Sequence, residues 1–119
     1  MSFRDALGGI VQSVRGATGA VLVDADGETI DLFTRGDSYD LMLTGAHHGI
    51  VLEAVEGALR HIGNGSRLEG FSIRAEKRTY TIMPVREGIF LVLVQDETGL
   101  PSHGMKVLKE ALPLISGLI

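Results

Sequence analysis

From Phe3 to Val14, apolar residues return every three or four positions (Phe3, Leu7, Ile10, Val11, Val14), the period of an amphipathic helix that Ser2 can cap. Gly16 to Gly19 breaks the pattern. Ala20-Val21-Leu22-Val23 is a short apolar run of β-favouring character, which predicts a strand covered on both faces. Asp26-Gly27 suits the positive φ angles of a two-residue hairpin turn. The chain then returns through Glu28 to Phe33, with Ile30 and Leu32 alternating against Thr29 and Asp31. That second strand has one wet face and belongs at a sheet edge.

Asp37 or Ser38 can cap the next helix, and Asp40 places acid in its first turn, where the helix dipole favours it. The helical pattern runs to about Ile62 and stops at Gly63-Asn64-Gly65. At 100° per residue, its apolar positions from Ala46 through Leu43, Ile50, Ala54, Ala58, Val51, Ile62, Val55, Leu59 and Leu41 to Leu52 span about 240°. Glu53, Glu56 and Arg60 make the wet side. A helix lying on one sheet needs much less, so the excess predicts a second partner surface. Gly45 and Gly49, each costing about 1 kcal/mol relative to alanine in a helix, fit either a close approach of another element or local tolerance.

Leu68 to Ala75 reads as a third strand, with Phe71 and Ile73 on one side and Ser72 and Arg74 on the other. Arg78 to Val85 follows, then a tight turn at Glu87-Gly88, then Ile89 to Val94, which is apolar throughout and therefore central. Ser102 to the end reads as a last helix, interrupted or bent near Pro113. The order is α-β-β-α-β-β-β-α. The first and fifth strands occupy the middle of a five-stranded antiparallel sheet in a three-layer α/β (α+β) domain with helices on both faces, and the second and third strands lie at the edges. An amphipathic edge strand beside an over-wide apolar helix is a surface for self-association. Its candidate residues are Leu52, Val55, Leu59 and Ile62 on the helix and Phe71 and Ile73 on the strand.

This element order, the stretch Gly19-Ala20-Val21-Leu22-Val23-Asp24-Ala25-Asp26-Gly27-Glu28 and the Gly99-Leu100 step before the last helix resemble the roadblock family, which includes a dynein light chain and bacterial partners of Ras-like GTPases. The resemblance covers almost the whole chain. It implies a sheet of order 2-1-5-4-3, with the first and last helices on one face and the long helix on the other. Two copies would pair their third strands and pack their long helices. It implies further a homodimer that binds a small Ras-like GTPase or links parts of a larger assembly, with no catalytic residue, cofactor or metal of its own.

Composition narrows the function. The chain has 119 residues, 45% apolar and 22% charged, which suits one globular domain over residues 1–119. It lacks cysteine, so thiolate chemistry is excluded and a reducing, cytoplasmic setting is expected; no stretch approaches a membrane span. A net charge of −4 argues against a nucleic-acid partner. The charge is nevertheless uneven. Asp24, Asp26, Glu28, Asp31, Asp37 and Asp40 face Arg35 alone, whereas Arg67, Arg74, Lys77, Arg78 and Arg86 outnumber Glu69 and Glu76. Arg74 and Arg78 are the candidate contacts to a partner.

Other chemistry finds little support. His47 and His48 diverge by about 100°, His47 and His61 stand about 21 Å apart along the helix, and His103 is isolated, so no metal site forms within the chain. Gly63-Asn64-Gly65-Ser66 ends a helix instead of beginning one and lacks the lysine of a phosphate loop. Asp24-Ala25-Asp26-Gly27 opens like a calcium loop, but the twelfth position is Arg35. Ser38, Ser66, Ser72 and Ser102 have no nucleophile context. A small-molecule sensor of profilin- or GAF-like architecture is the rival reading, weakened by 5% aromatic content and the absence of tryptophan. A purely structural subunit is the third.

Overall fold

Ser2 and Asp5 cap the first helix reciprocally: Asp5 N–H donates to Ser2 Oγ at 3.1 Å and Ser2 N–H to Asp5 Oδ2 at 3.3 Å. In this computed structural model, which describes residues 1–119, α1 (Phe3–Ser13) leads into β1 (Ala17–Asp24), β2 (Thr29–Thr34), α2 (Ser38–Ile62), β3 (Phe71–Arg74), β4 (Arg78–Arg86), β5 (Ile89–Asp96) and α3 (Pro101–Leu118). The five strands form one antiparallel sheet of order β2-β1-β5-β4-β3.

Alternation along the central strands divides the interior in two. Ala20, Leu22, Met83, Leu91 and Leu93 join Leu7, Ile10 and Val11 of α1 and Leu108 and Ile115 of α3. Val21, Val23, Ile82, Phe90, Val92 and Val94 meet Leu41 and Leu52 of α2 on the other face. Asp37 caps α2 by accepting from Tyr39 N–H at 2.7 Å and Asp40 N–H at 3.3 Å. Gly45 and Gly49, two of the three glycines in this helix, mark a close approach. A Cβ at Gly45 would lie 2.8 Å from Val23 Cγ2, and one at Gly49 would lie 3.2 Å from Phe90 Cζ.

Three local expectations need correction. The β1–β2 turn has three residues, because Asp24 N–H bonds Glu28 O, and only Gly27 has positive φ. Asp24 Oδ1 accepts from Asp26 and Glu28 N–H, so the carboxylate builds the turn itself. β3 is confined to Phe71–Arg74, which pair with Ile82 to Thr79 of β4. α3 runs through Pro113 without interruption; Lys109 and Pro113 are both exposed, so the carbonyl that loses its helical N–H partner faces water.

The turn from β5 into α3 is locked from inside. Gln95 is fully buried, and its Nε2 donates to Arg15 O at 3.3 Å and Leu100 O at 3.1 Å. Gly99 passes so near that a Cβ would overlap the Arg15 carbonyl oxygen and lie 2.6 Å from Gln95 Nε2. Asp96 Oδ1 accepts from Thr98 Oγ1 at 2.6 Å and Thr98 N–H at 2.9 Å; these two bonds, the hydroxyl first, with Arg15 adding a smaller part, hold its carboxyl below the ordinary 3.8. Gly99→Ala should therefore destabilise the fold by about 2 kcal/mol, seen as a lower midpoint in thermal denaturation, because the obstruction is backbone. A carboxyl held low contributes stability above its unfolded pKa and loses it as pH falls through the lowered value. Thr98→Val should accordingly flatten the acid limb of a stability profile below about pH 4, with little change at neutral pH beyond the lost bond.

Candidate interaction surfaces

Only Leu41, Gly45 and Leu52 of α2 are buried in the protomer. The helix packs on β1 and β2 and touches β5, whereas α3 takes β4 from the opposite face. Two apolar surfaces are consequently left incompletely covered. One is the outer side of α2, where Leu43, Ile50, Ala54, Ala58 and Ile62 are exposed, Ile62 to 77% and Ile50 to 68%. The other is the α2-side face of β3 and β4, where Phe71 pairs with Ile82 and Ile73 with Tyr80, and Phe71, Ile73 and Tyr80 remain half-buried.

The candidate self-association residues separate by depth. Leu52 belongs to the protomer's own core. Val55 and Leu59 are half-buried, Ile62 is exposed, and Phe71 and Ile73 stand on the bare strand face. Sequence reasoning missed Tyr80 and His48 at this surface. Their rings meet at 4.7 Å between centroids, and His48 Nδ1 lies 2.7 Å from Thr44 O. The alternation Arg78-Tyr80-Ile82 carried the signal for Tyr80, since it puts the ring beside Ile73.

Arg74 and Arg78 are near in sequence but are not brought together. The pleat turns Arg74 with Ser72 toward the α3 side, and Ser72 Oγ lies 3.0 Å from Thr81 Oγ1 there. Arg78 shares the parity of Tyr80 and lines a cleft on the α2 side. That cleft, about 330 Å³, has Arg35, Asp37, Asp40 and Thr44 on one wall and Thr18, Arg78 and Asp96 on the other. A second, about 270 Å³, runs between α1 and Phe33, lined by Arg4, Asp5, Gly8, Gly9 and Gln12. Both are open and lined mostly by polar residues and glycine, unlike the enclosed, aromatic-lined pocket expected of a small-molecule sensor.

The charged segments lie at opposite edges of the sheet, acidic around β2 and basic around β3 and the β3–β4 turn. His47, His61 and His103 are exposed and His48 is occupied with Tyr80 and Thr44; no three histidine or acidic side chains gather as metal ligands. No helix is long and apolar enough to cross a membrane.

Known structures share this architecture. The Roadblock/LC7 domain from Streptomyces avermitilis superposes with a TM-score of 0.89 at 14% identity, over 98% of this chain and 97% of that one. MglC from Myxococcus xanthus gives 0.70 at 27% identity over 100% of both chains. Myxococcus xanthus MglB gives 0.84 at 16% identity over 97% of this chain and 85% of that one. No functionally curated protein matches the sequence. The Roadblock/LC7 domain model matches residues 7–95, most of the chain, and with that the protein belongs to the Roadblock/LC7 family.

Proposed function

We propose that the protein is a cytoplasmic homodimeric adaptor or regulator that binds a small Ras-like GTPase and performs no chemistry itself. The observation that carries the dimer is that the protomer leaves two apolar surfaces incompletely covered, the outer side of α2 and the α2-side face of β3–β4. A second copy related by a two-fold axis presents the same pair and covers both at once. Family membership supports the GTPase as partner, and the element order, sheet order and helix placement match those the resemblance implies. Any effect on GTP hydrolysis would come from positioning the GTPase's own groups.

In this reading the dimer uses the α2 side and the partner meets the side of α1 and α3. Light scattering at low micromolar concentration should give a mass near twice 12.7 kDa. Ile62→Asp is the clean test of the interface, because Ile62 is 77% exposed in the protomer and a charge there costs the isolated fold little. The variant should elute as a monomer with its thermal midpoint reduced only by the loss of dimer linkage. An unchanged dimer would remove Ile62 from the contact.

The two arginines discriminate between the faces. Arg74→Glu should slow association with the GTPase about tenfold at low salt, since complementary charge acts mainly on encounter. Arg78→Glu, on the α2 side, should have the smaller effect. Stopped-flow association at two ionic strengths reads both, and the reverse order would place the partner on the other face.

A further inference from the structure

The sheet has two edges, and their backbones differ. Pairs between β1 and β2 alternate, and Arg35 N–H bonds Thr18 O, so residues 31, 33 and 35 turn their backbone groups toward β1 while Leu32 and Thr34 turn theirs outward. Leu32 N–H does not stand open. Asp31 Oδ1 accepts it at 2.8 Å, capping an outward donor of the edge with a carboxylate from the neighbouring position. At the other edge, Ala75 N–H bonds Arg78 O, which by the same alternation turns Ser72 and Arg74 outward. No side chain caps either of their N–H groups; the Ser72 hydroxyl is engaged with Thr81.

We propose that Asp31 is an edge guard, which closes β2 to strand pairing so that self-association through the sheet proceeds from β3 alone and ends at two copies. The edge needs one. β2 carries Ile30, Leu32 and Phe33, all β-favouring, and Ile30 is 38% exposed. The acidic surroundings of β2 also attract the basic β3 edge of another copy, a head-to-tail contact that does not close. An incoming strand would have to displace the Asp31 carboxylate and bury it beside its own backbone carbonyls. The register shift between Leu22 and Val23 adds a bulge that breaks the regularity of the edge.

This inference deepens the dimer reading and is tested by comparing variants across a range of concentrations in sedimentation velocity. Asp31→Ala should form species larger than two copies that grow with concentration, whereas wild type does not. Asp31→Asn, which keeps an oxygen acceptor in place, should follow wild type. Equal masses for Asp31→Ala and wild type, or equal assembly by Asp31→Asn and Asp31→Ala, overturn the guard. A wild type that sediments as one copy removes the dimer reading, yet the comparison with Asp31→Ala still decides the guard. Amide hydrogen exchange gives a reading that needs no variant. Leu32 should exchange more slowly than Thr34 in the wild-type protein, and equal rates would overturn the proposal.

Discussion

β1 and β5 lie side by side with apolar side chains on both faces, and each face of that pair has to be kept from water by a separate layer. Ala20 and Leu22 demand cover on one side and Val21 and Val23 on the other; Leu91 and Leu93 divide from Val92 and Val94 in the same way. The α1 side receives two helices, because α1 spans β1 and β2 while α3 spans β4. The α2 side receives one. A single helix about 10 Å wide cannot cover five strands set nearly 5 Å apart. The uncovered remainder falls over β3 and β4, away from β1 and β5, where α2 is drawn down by Gly45 and Gly49.

Much of this was legible in the chain because period and burial are local signals. The continuous apolar runs identified the two central strands, and the wide arc on α2 announced that one sheet face would not consume the whole helix. The errors came from information that alternation does not carry. Asp26-Gly27 looked like a two-residue turn, but Asp24 has a carboxylate that satisfies two turn amides, and this selects a longer loop with one positive φ. Arg74 and Arg78 are both candidate partner contacts, and the intervening turn and the pleat assign them to opposite faces. Leu52 packs in the protomer core while Ile62 at the end of the same arc is exposed, a division that a periodic pattern does not carry. The role of Gly45 and Gly49 is resolved only by Val23 and Phe90 beneath them.

The Gly99-Leu100 step shows how a feature that first served as a family likeness acquires a physical reason. Gln95 closes the sheet's inner face with an amide whose Nε2 bridges Arg15 O before β1 and Leu100 O before α3. Its Oε1 has no partner and faces Gly104. Two glycines are thus placed where the buried amide leaves no room for a Cβ, and α3 starts on Pro101 without a side-chain cap, its direction set by that amide instead. The far end of α3 is held similarly from outside its own sequence, by Arg86 Nη2 donating to Ser116 O at 3.3 Å.

The partner-facing properties of the protomer follow from the same uneven cover. An uncovered apolar face is tolerable in water only where something else covers it, and here it adjoins the one sheet edge whose outward amides have no side-chain acceptor. Hydrophobic area and open hydrogen-bonding groups in one place favour a partner that supplies a strand and a helix together. A second copy does this without needing a new surface, because β3 and α2 are presented in fixed relation by the Ser72 and Tyr80 pairings and the His48 to Tyr80 ring contact. A small apolar ligand would fill neither need, since it offers no extended backbone. In the proposed reading a second copy meets this edge, and the α1 and α3 side, with Arg74 at its margin, stays open to a different partner.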